Sequence, residues 1–148
     1  MKTYSFNEIL LKKGKKKCSL KDVKITNSQE TAKLIRSFYK DDLEIYESAF
    51  ILCVNNQNKP TGFAKIGQGG VTGVVVDIRI ISKVAIDSLA TGIIFAHNHP
   101  SGNKMPSKED KQLTEKIKKA MDIFGIRFLD HLIITTNDYY SFGDNFDL

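Results

Sequence analysis

Two histidines separated by one residue are the side chains of this chain best suited to chemistry. His97 and His99 follow an apolar run, residues 93–96, and Pro100 closes that run. Such a run predicts a buried strand, in which side chains two residues apart point to the same face. The two imidazoles would then project side by side, with Asn98 facing away. Two neutral imidazoles on one face offer two ligands to a metal ion, which needs a third from elsewhere.

Asp110 is the candidate for the third ligand. The residues between it and His99 include the turn formers Pro100, Gly102 and Pro106, and a loop that folds back could bring the next helix start under the strand end. Three protein ligands plus water form the open arrangement of catalytic zinc, whereas structural zinc is usually closed by four ligands. Nitrogen and oxygen donors without a thiolate suit zinc, and they also accept iron, manganese or nickel.

A longer pattern around these residues resembles a known family. The string His97-Asn98-His99-Pro100-Ser101-Gly102, followed by Ser107 and Asp110, looks like the JAMM (MPN+) metalloprotease signature. With Asp130-His131-Leu132-Ile133-Ile134 added, the chain resembles the bacterial RadC family more specifically, from about Ser28 to its last residue.

The resemblance implies a single-domain α/β fold of the JAB/MPN, cytidine-deaminase-like type, in which helices flank a mixed sheet. It also implies a zinc-dependent hydrolase with one Zn²⁺ per chain, held by His97, His99 and Asp110. A glutamate on an upstream strand would be the acid and base; by position it is Glu47. Ser107 would donate a hydrogen bond to the developing oxyanion of an amide or isopeptide substrate.

The chain departs from the family pattern in two places. RadC proteins usually carry an N-terminal helix-hairpin-helix-like region, which we expect to be missing here. The family often has Asp-Pro-Arg where this chain has Asp77-Ile78-Arg79. The predicted organisation is a basic extension over residues 1–25 and a RadC-like JAB/MPN domain over residues 26–148.

Several of these residues also have a simpler interpretation. Ser107-Lys108-Glu109-Asp110 is close to a capping box, although a cap and a metal ligand need not compete. Glu44 is a second acid near the position of the predicted base. His131 lies in an apolar strand region, which favours a structural role over one beside the metal. His97-Asn98-His99 spells the name of the HNH nucleases, but in those enzymes the named residues are spread over a ββα-metal unit.

The remaining pattern predicts the elements that must position the site. Helices are expected from a cap at Asn27, over Ser82–Ala90 and over Ser107–Phe124. The other strands are expected over residues 44–54, 61–66 and 71–81, and residues 126–129 and 132–135 are expected to form one last strand or a pair. Gly67-Gln68-Gly69-Gly70 would form a flexible loop flanking the cleft.

The positive charge of the chain is concentrated in one run. The formal charge is +5, and residues 12–17 contain five lysines. Subtracting these five from the 22 basic residues leaves 17, equal to the number of acidic residues. Lys12–Lys17 could contact DNA, but a solvated linker is the simpler interpretation because no aromatic residue interleaves the lysines.

The sequence also indicates where in the cell the protein is expected. No segment approaches the ~20 apolar residues that cross a bilayer, and residues 1–6 lack the features of a signal peptide. Cys18 and Cys53 have no motif spacing and are expected to be reduced thiols. Together these features predict a cytoplasmic protein without a membrane partner.

Three functions follow as hypotheses. The favoured one is hydrolysis of an amide or isopeptide bond in a peptide or protein-conjugate substrate. The second is a zinc-containing binding module in DNA metabolism, because the traditional label of the RadC family is DNA repair. The third is a zinc-dependent nuclease. The sequence indicates neither the substrate nor the oligomeric state.

Overall fold

The computed structural model of the chain describes residues 24–40 and 42–148. The helices and strands of this part are α1 Ser28–Arg36, β1 Ser48–Val54, β2 Pro60–Gln68, α2 Ile78–Asp87, β3 Gly92–Asn98, α3 Lys108–Ile123, β4 Arg127–Ile134 and β5 Tyr139–Ser141. Lys12–Lys17 and Cys18 lie outside the described residues, as does most of the predicted basic extension.

The strands form one mixed sheet in the order β2-β1-β3-β4-β5. The β3–β4 pair is parallel and the other pairs are antiparallel. Every residue of the central strands β1 and β3 is buried, as expected for strands covered on both faces. The predicted α/β fold with a mixed sheet flanked by helices is therefore confirmed.

Helices cover both faces of this sheet. Ala32, Leu34 and Ile35 of α1 pack on the face that carries Phe50 and Ile94. The opposite core contains residues of α2 and α3 together with alternate residues of β1 and β3, among them Ile81, Ile117, Ile51 and Phe95. Because side chains alternate along a strand, one face of β3 packs into each of the two cores.

The β3–α3–β4 crossover determines where α3 begins. Because β3 and β4 are parallel, the chain must return to the other end of the sheet between them, and α3 makes that return. Its first turn therefore lies at the carboxyl end of β3. This topology brings the start of α3 toward His97 and His99, as the turn formers between them predicted.

The strand predicted over residues 71–81 is wrong, because residues 71–77 form neither strand nor helix and α2 begins at Ile78. Asp77 caps α2, its carboxylate accepting a hydrogen bond from the backbone of Arg79 at 2.9 Å, and Ile78 is the first helical residue. The β-branched residues suggested a strand, but Ile81 and Ala85 share one helical face and both are fully buried. Burial of that face outweighs intrinsic β-propensity.

The end of α2 also differs from the prediction. Leu89 was expected to face inward, but it is 72% exposed and has a φ of 53°. It leaves the helix in the left-handed conformation, and Gly92, predicted as the stop, is the first residue of β3. Within the described part of the chain, no helix combines the length and apolarity needed to cross a bilayer.

Candidate metal centre

His97 and His99 project from the carboxyl end of β3 on the side covered by α3. His97 lies within the strand and its side chain is 2% exposed, whereas His99 follows the strand and its side chain is 16% exposed. The Nε2 atoms of the two rings are 3.0 Å apart. The side-by-side imidazoles that the spacing predicted are therefore present.

Asp110 completes a compact set of donor atoms. Its Oδ1 lies 3.1 Å from His97 Nε2, and its Oδ2 lies 3.4 Å from His99 Nε2. Ligands bound tetrahedrally to zinc at ~2.05 Å are about 3.3 Å from one another. The three donor-atom distances, in which Asp110 uses a different oxygen for each histidine, are close to that spacing.

A capping box holds Asp110 in this position. Ser107 Oγ accepts a hydrogen bond from the Asp110 amide at 3.0 Å, and Asp110 Oδ2 accepts one from the Ser107 amide at 2.7 Å. Oδ1 is left to face His97. Burial alone would raise the pKa of Asp110, but its close contacts with His97 and His99 hold the pKa well below its usual value. The carboxylate thus stays ionised while it caps the helix and faces the site.

Glu47, immediately before β1, enters the same cluster. Its Oε1 is 3.8 Å from His97 Nε2, and donor atoms of Glu47, His97 and His99 lie within 4.8 Å of one another. Those distances would admit Glu47 as a ligand, but the contacts of Asp110 with both histidines are shorter and favour Asp110 for that role. Burial raises the pKa of Glu47, while the two histidines act to lower it. A buried carboxylate with a raised pKa suits an acid and base.

Glu44, the competing acid, lies elsewhere. It is exposed and accepts a hydrogen bond from the hydroxyl of Thr136 at 2.8 Å. Of the two candidate acids, Glu44 and Glu47, the structure thus brings only Glu47 to the histidines. All five predicted site residues, with Ser107 through its contacts to Asp110, meet in one cluster, and their individual roles stay predictions.

The glycine-rich segment acts on the backbone of Glu47. The Gly69 amide donates to Glu47 O at 2.8 Å, and the Glu47 amide donates to Gly70 O at 2.9 Å. A Cβ on Gly69 would lie 1.7 Å from Gly73 O, so only glycine fits this close approach. Of the segment predicted as a flexible loop, Gly67 and Gln68 lie in β2, and Gly69 and Gly70 bond to the backbone carbonyl and amide of the candidate base.

Asn98 positions the same region from the opposite face of β3. Its Oδ1 accepts from the Ser48 amide at 2.7 Å, and its Nδ2 donates to Leu43 O at 2.6 Å and to Tyr46 O at 2.8 Å. The side chain faces away from the histidines, as the strand alternation predicted, and it fixes the path of the chain on both sides of Glu47. A polar residue inside an apolar strand was the signal for this role.

Hydrogen bonds also orient the ring of His99. Its Nδ1 lies 2.7 Å from Asn103 O, and a carbonyl can only accept, so Nδ1 carries a hydrogen. Burial would lower the pKa of His99, but hydrogen bonds with Asp110 and Asn103 raise it overall. In the neutral ring the lone pair is on Nε2, the atom that faces the site.

His131 contacts the predicted ligand His97 directly. Its Nε2 lies 2.9 Å from His97 Nδ1, and its Nδ1 lies 2.6 Å from Thr114 Oγ1. The ring is fully buried and stacks on Phe142 with centroids 4.4 Å apart, and burial lowers the pKa of His131 well below its usual value. The sequence favoured a structural role for His131 and did not reveal Thr114.

Comparisons with known proteins identify the family. A family profile described as the RadC-like JAB domain matches residues 25–147. A UPF0758 protein of Flavobacterium johnsoniae is 42% identical over 125 residues, which are 84% of this chain and 54% of that protein. UPF0758 proteins of Porphyromonas gingivalis and Streptococcus gordonii are 39% and 38% identical, over 81% and 84% of this chain and 52% and 54% of those relatives. The chain spans about half the length of these relatives. It belongs to the family of RadC-like JAB domains.

Proposed function

We propose that this chain is a zinc-dependent metallohydrolase of JAMM type that cleaves an amide or isopeptide bond in a peptide or protein conjugate. The observation that carries the proposal is the convergence of His97, His99 and Asp110, with donor atoms 3.0 to 3.4 Å apart at one strand end. Neutral imidazoles and a carboxylate, without a thiolate, are ligands that suit zinc. Zinc in this position would supply an activated water and polarise the substrate carbonyl.

The other residues of the cluster have roles that follow from their contacts. Glu47, 3.8 Å from His97 Nε2, is placed to accept a proton from the attacking water and to deliver it to the leaving amine. Ser107 Oγ already accepts the Asp110 amide, so the hydroxyl hydrogen of Ser107 is available for the oxyanion that develops on the substrate.

Glu47→Gln is the variant that tests this reaction. We expect wild type and variant to bind about one zinc per chain by elemental analysis, because Asp110 rather than Glu47 completes the ligand set. Hydrolysis in a screen of peptides and isopeptides should fall at least ~100-fold, the usual contribution of a general acid and base. Glu44→Gln is the matched control and should keep full activity, since Glu44 is exposed and bound to Thr136. Unchanged hydrolysis in Glu47→Gln would overturn the proposed mechanism.

Assays with DNA distinguish the two DNA-related alternatives from the proposed hydrolase. A nuclease would cleave DNA in the wild type and not in Asp110→Ala. A DNA-binding module would bind without cleavage, with an affinity that falls steeply with salt and is lost when Lys12–Lys17 are neutralised. Either result without any amide hydrolysis would replace the proposed activity.

A further inference from the structure

A row of buried polar groups runs from the backbone of α3 to the ring of His97. Thr114 Oγ1 lies 2.8 Å from Asp110 O and 2.6 Å from His131 Nδ1. His131 Nε2 in turn lies 2.9 Å from His97 Nδ1. Thr114 is 2% exposed and His131 is fully buried, so each group must find its hydrogen-bond partners within this row.

The direction of each hydrogen bond follows from the partners. The Asp110 carbonyl can only accept, and we assign the single hydrogen of the Thr114 hydroxyl to it. Thr114 can then only accept from His131, which places a hydrogen on His131 Nδ1. A charged imidazole is costly at this depth, so His131 is neutral and its Nε2 accepts from His97 Nδ1.

His97 is consequently left with a bare Nε2. That atom lies 3.0 Å from His99 Nε2 and 3.1 Å from Asp110 Oδ1. A metal ion needs this nitrogen unprotonated. The row of hydrogen bonds therefore leaves His97 Nε2 free to bind a metal ion, although Thr114 and His131 do not themselves reach the site.

We propose that Thr114 and His131 are positioning residues that hold His97 in the tautomer with a free Nε2, and that they thereby set the affinity of the site for zinc. The inference rests on the metal site of the proposed function and is independent of the reaction carried out there.

The competing arrangement shows why the hydroxyl matters. If the row were reversed, His131 Nε2 would donate to His97 Nδ1, and His97 Nε2 would carry a hydrogen. That hydrogen could donate to Asp110 Oδ1, and the histidine and the carboxylate would satisfy each other without a metal. The commitment of the Thr114 hydroxyl to Asp110 O prevents the reversal, because His131 Nδ1 then faces only an acceptor.

Thr114→Val and Thr114→Ser form a matched pair of variants for this inference. Valine keeps the shape of threonine and removes the hydroxyl, whereas serine keeps the hydroxyl and removes a methyl group. In chelator competition with zinc alone, we expect Thr114→Val to bind ~10- to 100-fold more weakly, the usual size of effect when hydrogen-bond support around a ligating histidine is lost. Thr114→Ser should stay close to wild type. A purely structural role predicts the reverse order, because serine leaves a cavity and valine does not.

The tautomer itself can be measured in the metal-free protein. Nitrogen-15 NMR about two pH units above the usual imidazole pKa should find His97 protonated on Nδ1 in the wild type and in Thr114→Ser. In Thr114→Val the proton should move to Nε2. An unchanged tautomer together with unchanged zinc affinity in Thr114→Val would overturn the inference.

His131 offers a second pair of variants. The side-chain carbonyl of His131→Gln can accept from His97 Nδ1, whereas His131→Leu cannot accept, so zinc affinity should be higher in the glutamine variant. Equal zinc affinities in the two folded variants would contradict the proposed role of His131. Zinc affinity and the His97 tautomer can both be measured without a substrate. Zinc binding without hydrolysis would overturn the proposed reaction but not the proposed role of Thr114 and His131. A wild type without zinc would overturn the metal site and this inference with it.

Discussion

The two oxygens of the Asp110 carboxylate have different partners. Oδ2 accepts the Ser107 amide at 2.7 Å and completes the capping box, while Oδ1 faces His97 at 3.1 Å. The capping box is present, and it is compatible with the predicted role of Asp110 as a ligand, because a carboxylate has enough lone pairs for both. The cap fixes the carboxylate before any ligand arrives.

Variants at the two ends of this box should separate its functions. Asp110→Asn can still accept the Ser107 amide through its carbonyl oxygen, but it loses the charged ligand, so zinc content should fall to near zero. Ser107→Ala should retain about one zinc per chain while the free energy of unfolding drops by about 1 kcal/mol, the usual value of a cap. Elemental analysis and urea denaturation check the two outcomes. Full zinc content in Asp110→Asn would rule out Asp110 as a ligand.

Among the elements, β3 organises both the site and the chain leading to it. One of its faces carries Phe95 and His97, and the other carries Ala96 and Asn98. Asn98 binds the backbone on both sides of Glu47 through three hydrogen bonds. A single strand thus presents a candidate ligand on one face and restrains the candidate base from the other.

The donor role of Asn98 can be tested with an isosteric change. Asn98→Asp would deprive Leu43 O and Tyr46 O of their shared donor and would bury a carboxylate beside them, so we expect a loss of about 3 kcal/mol in unfolding free energy. Asn55→Asp is the matched control. Within the part of the chain that the structure describes, the Asn55 side chain bonds only through Oδ1, which accepts from the amides of Gln57 and Lys59, and a change within ~0.5 kcal/mol is expected. Equal effects in urea denaturation would contradict this account of Asn98.

At the scale of the whole molecule, the cluster joins segments that are distant along the chain. Glu47 precedes β1, the two histidines end β3, and Asp110 lies in the first turn of α3. An unfolded chain does not hold these groups together. Metal binding should therefore be coupled to folding.

Zinc is accordingly expected to stabilise the folded protein. At a free concentration 100 times the dissociation constant the gain is about 2.7 kcal/mol, which corresponds to a rise in Tm of roughly 10 °C. His99→Ala should show no rise, and neither should wild type with calcium, which prefers six to eight oxygen ligands. Thermal unfolding followed by circular dichroism makes the comparison. An equal rise in His99→Ala would show that zinc acts elsewhere.

The correct predictions at this site rest on rules that relate residues a few positions apart. Strand alternation placed His97 and His99 on one face and Asn98 on the other, and the capping-box spacing located the start of α3. The full motif pointed to the family and hence to the mixed sheet. The segment 71–81 was mistaken for a strand because its β-branched residues outweighed the capping signal of Asp77.

The sequence by itself determined the local arrangement of the histidines and of Asp110, because both arise from regular backbone geometry over a few residues. The resemblance selected Glu47 by position, but only the tertiary structure shows why this acid and not Glu44 meets the histidines, since that placement depends on the glycine segment and Asn98. It also decided that His131 reaches His97, because that contact requires the parallel register that pairs Phe95 with His131 and the packing of Thr114 from α3 against the same ring. Contacts between distant segments follow from how the elements pack together, and no local spacing encodes them.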